Sequence, residues 1–260
     1  MMQNTDLMTL ERQERIVELV NARGSLTVPD LSETFAVSEA TIRRDLIALA
    51  ERRLIQRVHG GAMRLSKVAT SESPIIQRQT EQVEAKARIG KATAELVHNG
   101  ETLLLLGGST GLAVARELAQ HQDLTIVTDS LLVANELLGQ RNHRMILIGG
   151  SIDPDEQAVR GTLSRLILQQ IHVDKVIIGA KAISVSRGIS AETPEEAELF
   201  RGCMACADQI IVVSDSSKFH KSALAKVIGL QDVHILVTDD GLEPEQQASL
   251  HDLGIHLIIV

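Results

Sequence analysis

The sequence predicts an α/β domain with a mostly parallel sheet, preceded by a small α+β domain. Three observations predict this division. The chain has 260 residues, which exceeds one typical domain. Seven short apolar runs alternate with helical patterns after residue 100, as in a buried parallel sheet with helices on both faces. Before them, a basic segment stands out in a chain whose formal net charge is -8.

The small domain contains two helical patterns joined by a tight turn. TVPDLSETFAV, residues 27–37, predicts a short helix capped by Thr27. SEATIRRDL, residues 38–46, predicts a second helix that is capped by Ser38 and buries Ile42, Leu46 and Leu49. The residues turned away from that buried face are Ala40, Thr41, Arg43, Arg44 and Ile47. Taken alone, this helix is equally typical of an ordinary surface helix with two solvated arginines.

The neighbouring segments favour a nucleic-acid interface. Two short helices with a tight turn match a helix-turn-helix. Residues 52–67 carry five Arg or Lys and no acidic residue, and an alternating pattern that ends at Gly60 and Gly61 predicts a two-stranded wing. This charge is expected where phosphates are neutralised. With no Trp, no Tyr and three Phe, stacking on single strands is disfavoured, so we expect duplex DNA.

Small polar loops follow five of the seven apolar runs in the larger domain. They are GGST at 107–110, TDS at 128–130, GGS at 149–151, GAK at 179–181 and SDSSK at 214–218. Ligands of open parallel sheets bind at the carboxyl ends of strands, where helix N-termini offer amide groups to anions. Five such loops at one edge predict a pocket for a phosphorylated ligand. The alternative for any one loop is a tight turn with a helix cap.

The motifs RQERIVELV, VSEATIRRDL and RVHGGA resemble the N-terminal signature of the DeoR family of bacterial transcriptional regulators. GKATAELVHNGETLLLLGGST, VTDS, ILIGGS, GISAETPEEAELFRGCM and VVSDSSKF are similar to the DeoR effector domain, which resembles ribose-5-phosphate isomerase in fold and binds sugar phosphates. The resemblance covers nearly the whole chain. It implies a winged helix-turn-helix domain over residues 1–64, a linker over 65–74 and a sugar-phosphate-binding effector domain over 75–260.

The resemblance also implies where ligands bind. The expected effector-site residues are Gly108, Ser109, Thr110, Asp215, Ser217 and Lys218, with Thr128, Asp129 and Ser130 beside them and Glu196 near the sugar hydroxyls. The expected DNA-binding residues are Ser38, Ala40, Thr41, Arg43, Arg44, Arg57 and His59. Lys218 either balances the phosphate charge or is a solvated surface lysine. Lys181 either adds positive charge to the site or is a surface residue.

The chain departs from the family pattern at four positions. Ala36 stands where the family often has glycine in the turn. Leu106 stands where an Asp usually precedes the first glycine loop, Asp129 where an Asn is usual, and Phe200 where a Lys is common. The identity of the sugar therefore cannot be inherited from any relative.

These observations predict a transcriptional regulator, a repressor that a phosphorylated sugar releases from double-stranded operator DNA. One alternative is a sugar-phosphate isomerase-like enzyme with an appended DNA-binding module; isomerisation needs a positioned base and a cation, and the changes at Leu106 and Phe200 count against it. Another alternative is an architectural DNA-binding protein without a ligand. We expect no catalytic residues, cofactor or metal.

The expected assembly is a homodimer or tetramer, because a two-fold protein doubles the DNA site that one helix can read. No apolar run approaches the roughly 20 residues of a membrane span, and the polar N-terminus does not resemble a signal peptide. We therefore expect no membrane partner and a cytoplasmic protein that is nucleoid-associated when bound to its operator.

Cys203 and Cys206 are the two cysteines of the chain and form a CxxC pair. The pair could be a redox motif or half of a zinc site, but a structural zinc needs four ligands and the sequence has no second pair. The segment reads as the interior of a helix, so we expect two unreactive packing thiols.

Overall fold

The computed structural model describes residues 4–23, 25–51, 54–58, 60–63, 72–140, 142–219 and 221–260. Within these ranges the description leaves out the side chains of residues 4–8, 10–11, 21–23, 25, 51, 56–58 and 63. The chain forms two compact units, Met1–Val68 and Ala69–Val260. None of the helices in the described ranges combines the length and apolar character of a membrane span.

The first unit contains a helix-turn-helix followed by a small antiparallel sheet. Its elements in chain order are α1 (Asn4–Arg23), β1 (Ser25–Thr27), α2 (Val28–Phe35), α3 (Glu39–Glu51), β2 (Gln56–Val58) and β3 (Gly61–Met63). The sheet has the strand order β1-β3-β2. The predicted helix-turn-helix and two-stranded wing are confirmed, and β1 adds a third strand that the sequence pattern did not indicate.

Local sequence explains both helices of the motif. Thr27 and Asp30 form a capping box at the start of α2, which satisfies two amide groups that the helix leaves free. Helix α2 ends at Phe35. The next residue, Ala36, has a φ of 51° in the left-handed region, which explains why glycine is usual at this position. The predicted buried stripe of α3, Ile42, Leu46 and Leu49, is at most 1% exposed.

The second unit is built around one large parallel sheet. Its helices are α4 (Ile75–Arg78), α5 (Val83–Ala94), α6 (Ser109–Leu118), α7 (Leu131–Leu138), α8 (Thr162–Leu168), α9 (Pro194–Ala205) and α10 (Pro244–Asp252). Its strands are β4 (Thr102–Leu105), β5 (Thr125–Thr128), β6 (Arg144–Leu147), β7 (Ser151–Asp153), β8 (Ala158–Arg160), β9 (Val173–Gly179), β10 (Ala182–Ser184), β11 (Gly188–Ala191), β12 (Ala207–Val213), β13 (Ala225–Ile228), β14 (Ile235–Thr238) and β15 (His256–Ile259).

All seven predicted apolar runs lie in the main sheet, in the order β15-β14-β12-β9-β4-β5-β6, and all the pairings are parallel. Successive side chains of a strand point to opposite faces. Leu103 and Leu105 pack in a cluster with helices α5 to α7, while Leu104 packs in a second cluster with α9. Burial on both faces explains why the central strands are continuously apolar, whereas the edge strands β6 and β15 are only partly buried.

Two smaller sheets lie outside the sequence prediction. Strands β7 and β8 form an antiparallel hairpin, and β10, β11 and β13 form a three-stranded antiparallel sheet. Each strand has only three or four residues, which is too short for a clear alternating pattern. These additions provide side chains to the carboxyl edge of the main sheet.

Candidate functional site

A cleft lies at the carboxyl ends of β4, β5, β9 and β12. The predicted residues that line it are Gly108, Ser109, Thr110, Asp129, Lys181, Glu196, Asp215 and Lys218. Carboxyl ends of neighbouring parallel strands share one sheet edge, and this explains why loops distant in sequence meet here. Four of the five polar loops thus contribute to a common site.

Three predicted effector residues do not line the cleft. Thr128 and Ser130 are buried beneath it; the Thr128 hydroxyl accepts from the Ser130 amide at 3.1 Å, and the Ser130 hydroxyl caps α7. The Ser217 amide and hydroxyl both donate to Asp215. In the structure these side chains stabilise the loops. Thr128 and Ser130 lie beside the cleft, as expected, and the proposed contact of Ser217 with a ligand stays a prediction.

The fifth loop, residues 149–151, does not line the cleft. It leads into β7 and not into a helix. A Cβ on Gly150 would lie 2.4 Å from the carbonyl oxygen of Arg160, so this glycine permits close packing against the β7–β8 hairpin. The GGS pattern therefore reflects a turn requirement, which was the alternative considered for each loop.

The first loop brings a helix N-terminus to the cleft. Gly108 has a φ of +105°, which residues with a Cβ rarely adopt. A Cβ on Gly111 would lie 2.3 Å from the Leu106 carbonyl oxygen, so the strand and helix can approach only with glycine here. No side chain caps the first turn of α6. Its amide groups and positive dipole end are suited to an anion.

Asp129 is 1% exposed and connects two parts of the site. One carboxylate oxygen accepts from the Gly107 amide at 2.7 Å, and the other accepts from Arg160 at the end of β8. Burial alone would lower the pKa of Arg160, but the carboxylates of Asp129, Glu196 and Glu156 raise it above its ordinary value. Asp129 adds a negative charge where the family usually has Asn, and Arg160 of the same unit neutralises that charge.

Lys181 is the centre of an acidic cluster and not a surface residue. Its ammonium group lies 3.0 Å from both Glu156 and Glu196 and 3.9 Å from Glu192. Burial would lower the pKa of Lys181, but Glu196 and Glu156 raise it. Burial likewise would raise the pKa of Glu156, but Lys181 and Arg78 lower it. Both groups are therefore held in their charged forms.

Lys218 is 18% exposed, so it is not the solvated lysine considered as an alternative. Its ammonium group pairs with Glu72. The same carboxylate lies 2.8 Å from Arg78, which also contacts Glu156 and donates to the Ser73 carbonyl at 2.8 Å. Two cations and two carboxylates thus form a connected chain along one wall.

Four charged residues of the cleft escaped sequence reasoning: Glu72, Arg78, Glu156 and Arg160. They lie before α4, in α4, and in and near the β7–β8 hairpin, so they do not follow strands of the main sheet. The rule that ligands bind at strand ends could not find them. The only sign in the sequence was a charged residue within a short segment that has no clear helix or strand pattern. Such a sign is too weak to identify a binding residue.

Leu106 and Phe200, two of the departures from the family pattern, line the same cleft together with Ile178. Both are nearly buried, at 1% and 6% exposure, and belong to one apolar cluster. Where the family often has an acidic and a basic residue, this chain therefore has an apolar cleft floor.

A wider cavity of about 470 Å³ adjoins the cleft. Residues shared by both are Glu72, Glu156, Arg160, Lys181 and Glu196. Eight of the lining residues of the wider cavity are acidic and three are basic. Carboxylates suit hydroxyl groups, which donate hydrogen bonds to them. The narrower cleft is more evenly balanced, with four basic and five acidic side chains. The two parts differ in the ligand groups that they favour.

Helix α3 of the first unit exposes the predicted DNA-facing side chains. The Ser38 hydroxyl accepts from the Thr41 amide at 3.2 Å, so the predicted cap is confirmed. Ala40, Arg43 and Arg44 are exposed, and Arg43 pairs with Glu39 at 2.9 Å. An exposed pair of this kind contributes little to stability, so the guanidinium can exchange partners.

Asp45, the acidic residue of the RRDL motif, has a structural role. It is buried and pairs with Arg12 at 2.7 Å, while the Gln13 amide donates to it at 3.0 Å. Asp45 therefore fixes α1 against α3. The Arg57 side chain and all of His59 lie outside the described residues, as does most of the predicted linker, so those assignments stay predictions.

Cys203 and Cys206 are both buried and free. Cys203 lies in the last turn of α9 and Cys206 directly follows it. Burial raises the pKa of both thiols, which disfavours the reactive thiolate. Among the described residues there is no group of three or more His, Cys, Asp or Glu arranged to hold a metal ion.

A helix-turn-helix unit followed by an α/β unit with a charged cleft defines a DNA-binding regulator with a ligand-sensing unit. Residues 12–68 match the DeoR-like helix-turn-helix domain, and residues 81–240 match the DeoR C terminal sensor domain. The chain therefore belongs to the DeoR family, as its motifs predicted.

Two relatives are repressors by name. Transcriptional repressor AccR of Agrobacterium fabrum is 36% identical over 234 residues, which are 90% of this chain and 90% of AccR. The glycerol-3-phosphate regulon repressor of Escherichia coli K12 is 34% identical over 229 residues, which are 88% of this chain and 90% of that repressor. Together with the helix-turn-helix domain, these matches indicate a transcriptional regulator and not an enzyme.

A solved structure of ribose 5-phosphate isomerase A from Methanocaldococcus jannaschii superposes on part of the chain. The TM-score is 0.40 at 16% identity, and the match covers 54% of this chain and 55% of the isomerase.

Proposed function

We propose that this protein represses a carbohydrate-utilisation operon and that a phosphorylated sugar releases it from double-stranded operator DNA. The observation that carries the proposal is the cleft. Four strand-end loops, a helix N-terminus without a side-chain cap and four basic side chains meet at one sheet edge. Such a combination is what a phosphate group requires.

The distribution of charge supports a ligand with two chemically different ends. The phosphate fits the narrow cleft, beside Ser109, Thr110, Arg78 and Lys218. The sugar hydroxyls fit the wider cavity with its excess of carboxylates, among them Glu196. The apolar floor formed by Leu106 and Phe200 lies between the strand ends and contacts carbon atoms of the ligand. One relative is named for the regulon of a phosphorylated polyol, glycerol-3-phosphate, which agrees with this ligand class.

The exposed face of α3 supports operator binding. Arg43 and Arg44 are free to reach base edges in the major groove, and the N-terminus of α3 with Ser38 and Thr41 suits a backbone phosphate. We further propose that Arg57 and His59 belong to the DNA-binding surface, with Arg57 directed to the phosphate backbone.

The larger unit also supports self-association into a dimer or tetramer. Five large apolar side chains on α7, β6, β7 and α8 are exposed: Leu138, Leu147, Ile152, Leu163 and Leu166. Exposed apolar side chains of this size are candidates for burial in a protein interface. Sedimentation of the full chain tests this: a Leu166→Glu variant is expected to shift to monomer, whereas a wild-type chain that is already monomeric at micromolar concentration would contradict it. In this proposal the regulator acts in the cytoplasm, at the nucleoid when bound to its operator.

A ligand screen tests the proposed function directly. Melting of the full chain is measured with a panel of aldose and ketose phosphates and with the matching unphosphorylated sugars. We expect a shift with at least one phosphorylated sugar and none with its unphosphorylated form. The same ligand should weaken operator binding at fixed salt. Turnover of any panel member would instead favour the isomerase-like alternative.

Variants of the cleft separate sensing from DNA binding. Ser109→Ala should leave operator affinity without ligand unchanged and blunt release by the ligand. Lys218→Ala should also blunt release, because the phosphate then lacks a charge partner. Loss of one charge-assisted hydrogen bond costs about 1.5–3 kcal/mol, so about 10- to 100-fold more ligand should be needed for Lys218→Ala. A folded Lys218→Ala variant with a full ligand response would contradict the assigned role of this lysine.

A further inference from the structure

Glu72 occupies an unusual position in the cleft. Its side chain is 10% exposed, and its carboxylate lies against two cations, Arg78 at 2.8 Å and Lys218. Its own backbone amide donates to Glu192. Glu72 lines both the narrow cleft and the wider cavity.

These two cations are those that we assign to a phosphate. A carboxylate and a phosphate use the same partners, because both offer anionic oxygens to guanidinium and ammonium donors. The Lys218 ammonium therefore cannot pair fully with Glu72 and with a bound phosphate at the same time. Arg78 differs from Lys218, because Glu156 and the Ser73 carbonyl fix it independently of Glu72.

Glu72 is also the first described residue after 64–71, which link it in sequence to β3 of the helix-turn-helix unit. The segment that starts at Glu72 continues into α4, and a side chain of α5 binds the C-terminal end of α4. The buried Lys86 ammonium donates to the carbonyl oxygens of Arg78 at 2.7 Å and Glu81 at 2.6 Å. The C-terminal end of the segment is thus anchored to α5. Its N-terminal end is held by the carboxylate of Glu72 together with two backbone amides, those of Glu72 and Ile75, which donate to Glu192 and to the Asp155 carbonyl.

We propose that Glu72 is a built-in competitor of the effector: its carboxylate holds Arg78 and Lys218 when no anion is bound, and an incoming phosphate displaces it. This inference rests on the proposed function, namely that the cleft binds a phosphorylated ligand. Displacement removes one restraint on the N-terminal end of the segment 72–78, which residues 64–71 join in sequence to the DNA-binding unit. When the ligand binds, the chain that leads to the DNA-binding unit loses the restraint that the paired Glu72 carboxylate provides.

The competition has a measurable signature. A tethered competitor reduces the apparent affinity of a ligand by the fraction of molecules in which the site is accessible. Glu72→Gln keeps the size and hydrogen-bonding oxygen of the side chain but removes its charge. We expect inorganic phosphate, titrated into the full chain by calorimetry at fixed ionic strength, to bind about tenfold more tightly to this variant. Glu84→Gln makes the same charge change at an exposed position of α5 and should match the wild type.

Hydrogen exchange of the wild type provides a second measurement that needs no variant. Saturating phosphate should accelerate exchange of amides in residues 72–78, with little change in α5. Lys218→Met should weaken phosphate binding both in the wild-type background and with Glu72→Gln.

The outcomes separate the two proposals. If the wild type and Glu72→Gln bind phosphate equally, or the variant binds more weakly, Glu72 is not a competitor, although a Lys218-dependent phosphate site remains. Slower exchange of residues 72–78 with phosphate also overturns the inference. If neither protein binds phosphate or any sugar phosphate, the proposed function itself fails, and the inference fails with it.

Discussion

Replacing Asp129 by Asn tests whether the ion pair with Arg160 holds the cleft together. Asp129 is 1% exposed and Arg160 is 23% exposed. An Asn side chain keeps an oxygen for the Gly107 amide but has no charge, and its amide group cannot accept from the guanidinium. Asp129→Asn therefore leaves Arg160 largely buried without its main counter-ion.

Removing one partner of a fully buried ion pair costs about 3–5 kcal/mol. Arg160 is partly exposed and Glu156 and Glu196 also lie in its field, so we expect a loss of about 2 kcal/mol in the free energy of unfolding of the larger unit. The double variant Asp129→Asn with Arg160→Met should recover most of this loss, because no charge is then left unpaired.

Urea denaturation followed by far-UV circular dichroism measures these values, since the chain has no Trp or Tyr for fluorescence. Asp240→Asn removes the exposed partner of Arg88 and serves as the control, with an expected change within about 0.5 kcal/mol. A loss below about 0.5 kcal/mol for Asp129→Asn, or strictly additive effects in the double-variant cycle, would refute the reasoning.

Arg43→Ala should weaken specific operator binding by about 1–3 kcal/mol and relax sequence preference, whereas Arg57→Ala should weaken binding to all sequences alike; equal losses on operator and random DNA for both would contradict this. Ala36→Gly should stabilise the first unit by about 0.5–1 kcal/mol by relieving its left-handed backbone, while Ala48→Gly, within α3, should cost about 1 kcal/mol. The pKa of Glu156 is lowered in the folded state, so its stabilisation is complete above its unfolded-state pKa and is lost as pH falls through the folded value. Glu156→Gln should flatten this acid-side decline in denaturation curves.

Periodicity determined what could be predicted from the sequence. The buried stripe of α3 and the seven strands of the main sheet follow patterns of 3.6 residues or of continuous apolar character, and these were predicted correctly. The strand-end loops followed from the geometry of parallel sheets. Asp45 could not be identified as structural, because its partner Arg12 is 33 residues away and an acidic residue on a polar helix carries no local mark of burial.

The charged wall of the cleft was missed for the same physical reason. Arg78 and Arg160 reach the site from a four-residue helix and a three-residue strand, where no period is long enough to detect. Their role depends on tertiary packing against loops far away in the chain. Ser217 shows a second limit: its position in a strand-end loop was predicted, but nothing in the sequence indicated that its hydroxyl donates to Asp215.

Internal pairing of the cleft has a consequence for how the two units respond to salt. Five carboxylates and four basic side chains line the cleft, and each of those four cations already contacts a carboxylate of the same unit. An incoming anion exchanges partners at short range and gains little from long-range attraction, so its affinity depends weakly on ionic strength. Operator binding releases counterions from DNA and falls steeply with salt. Under the proposed function, a change in ionic strength therefore shifts operator binding much more than binding of the ligand to the cleft.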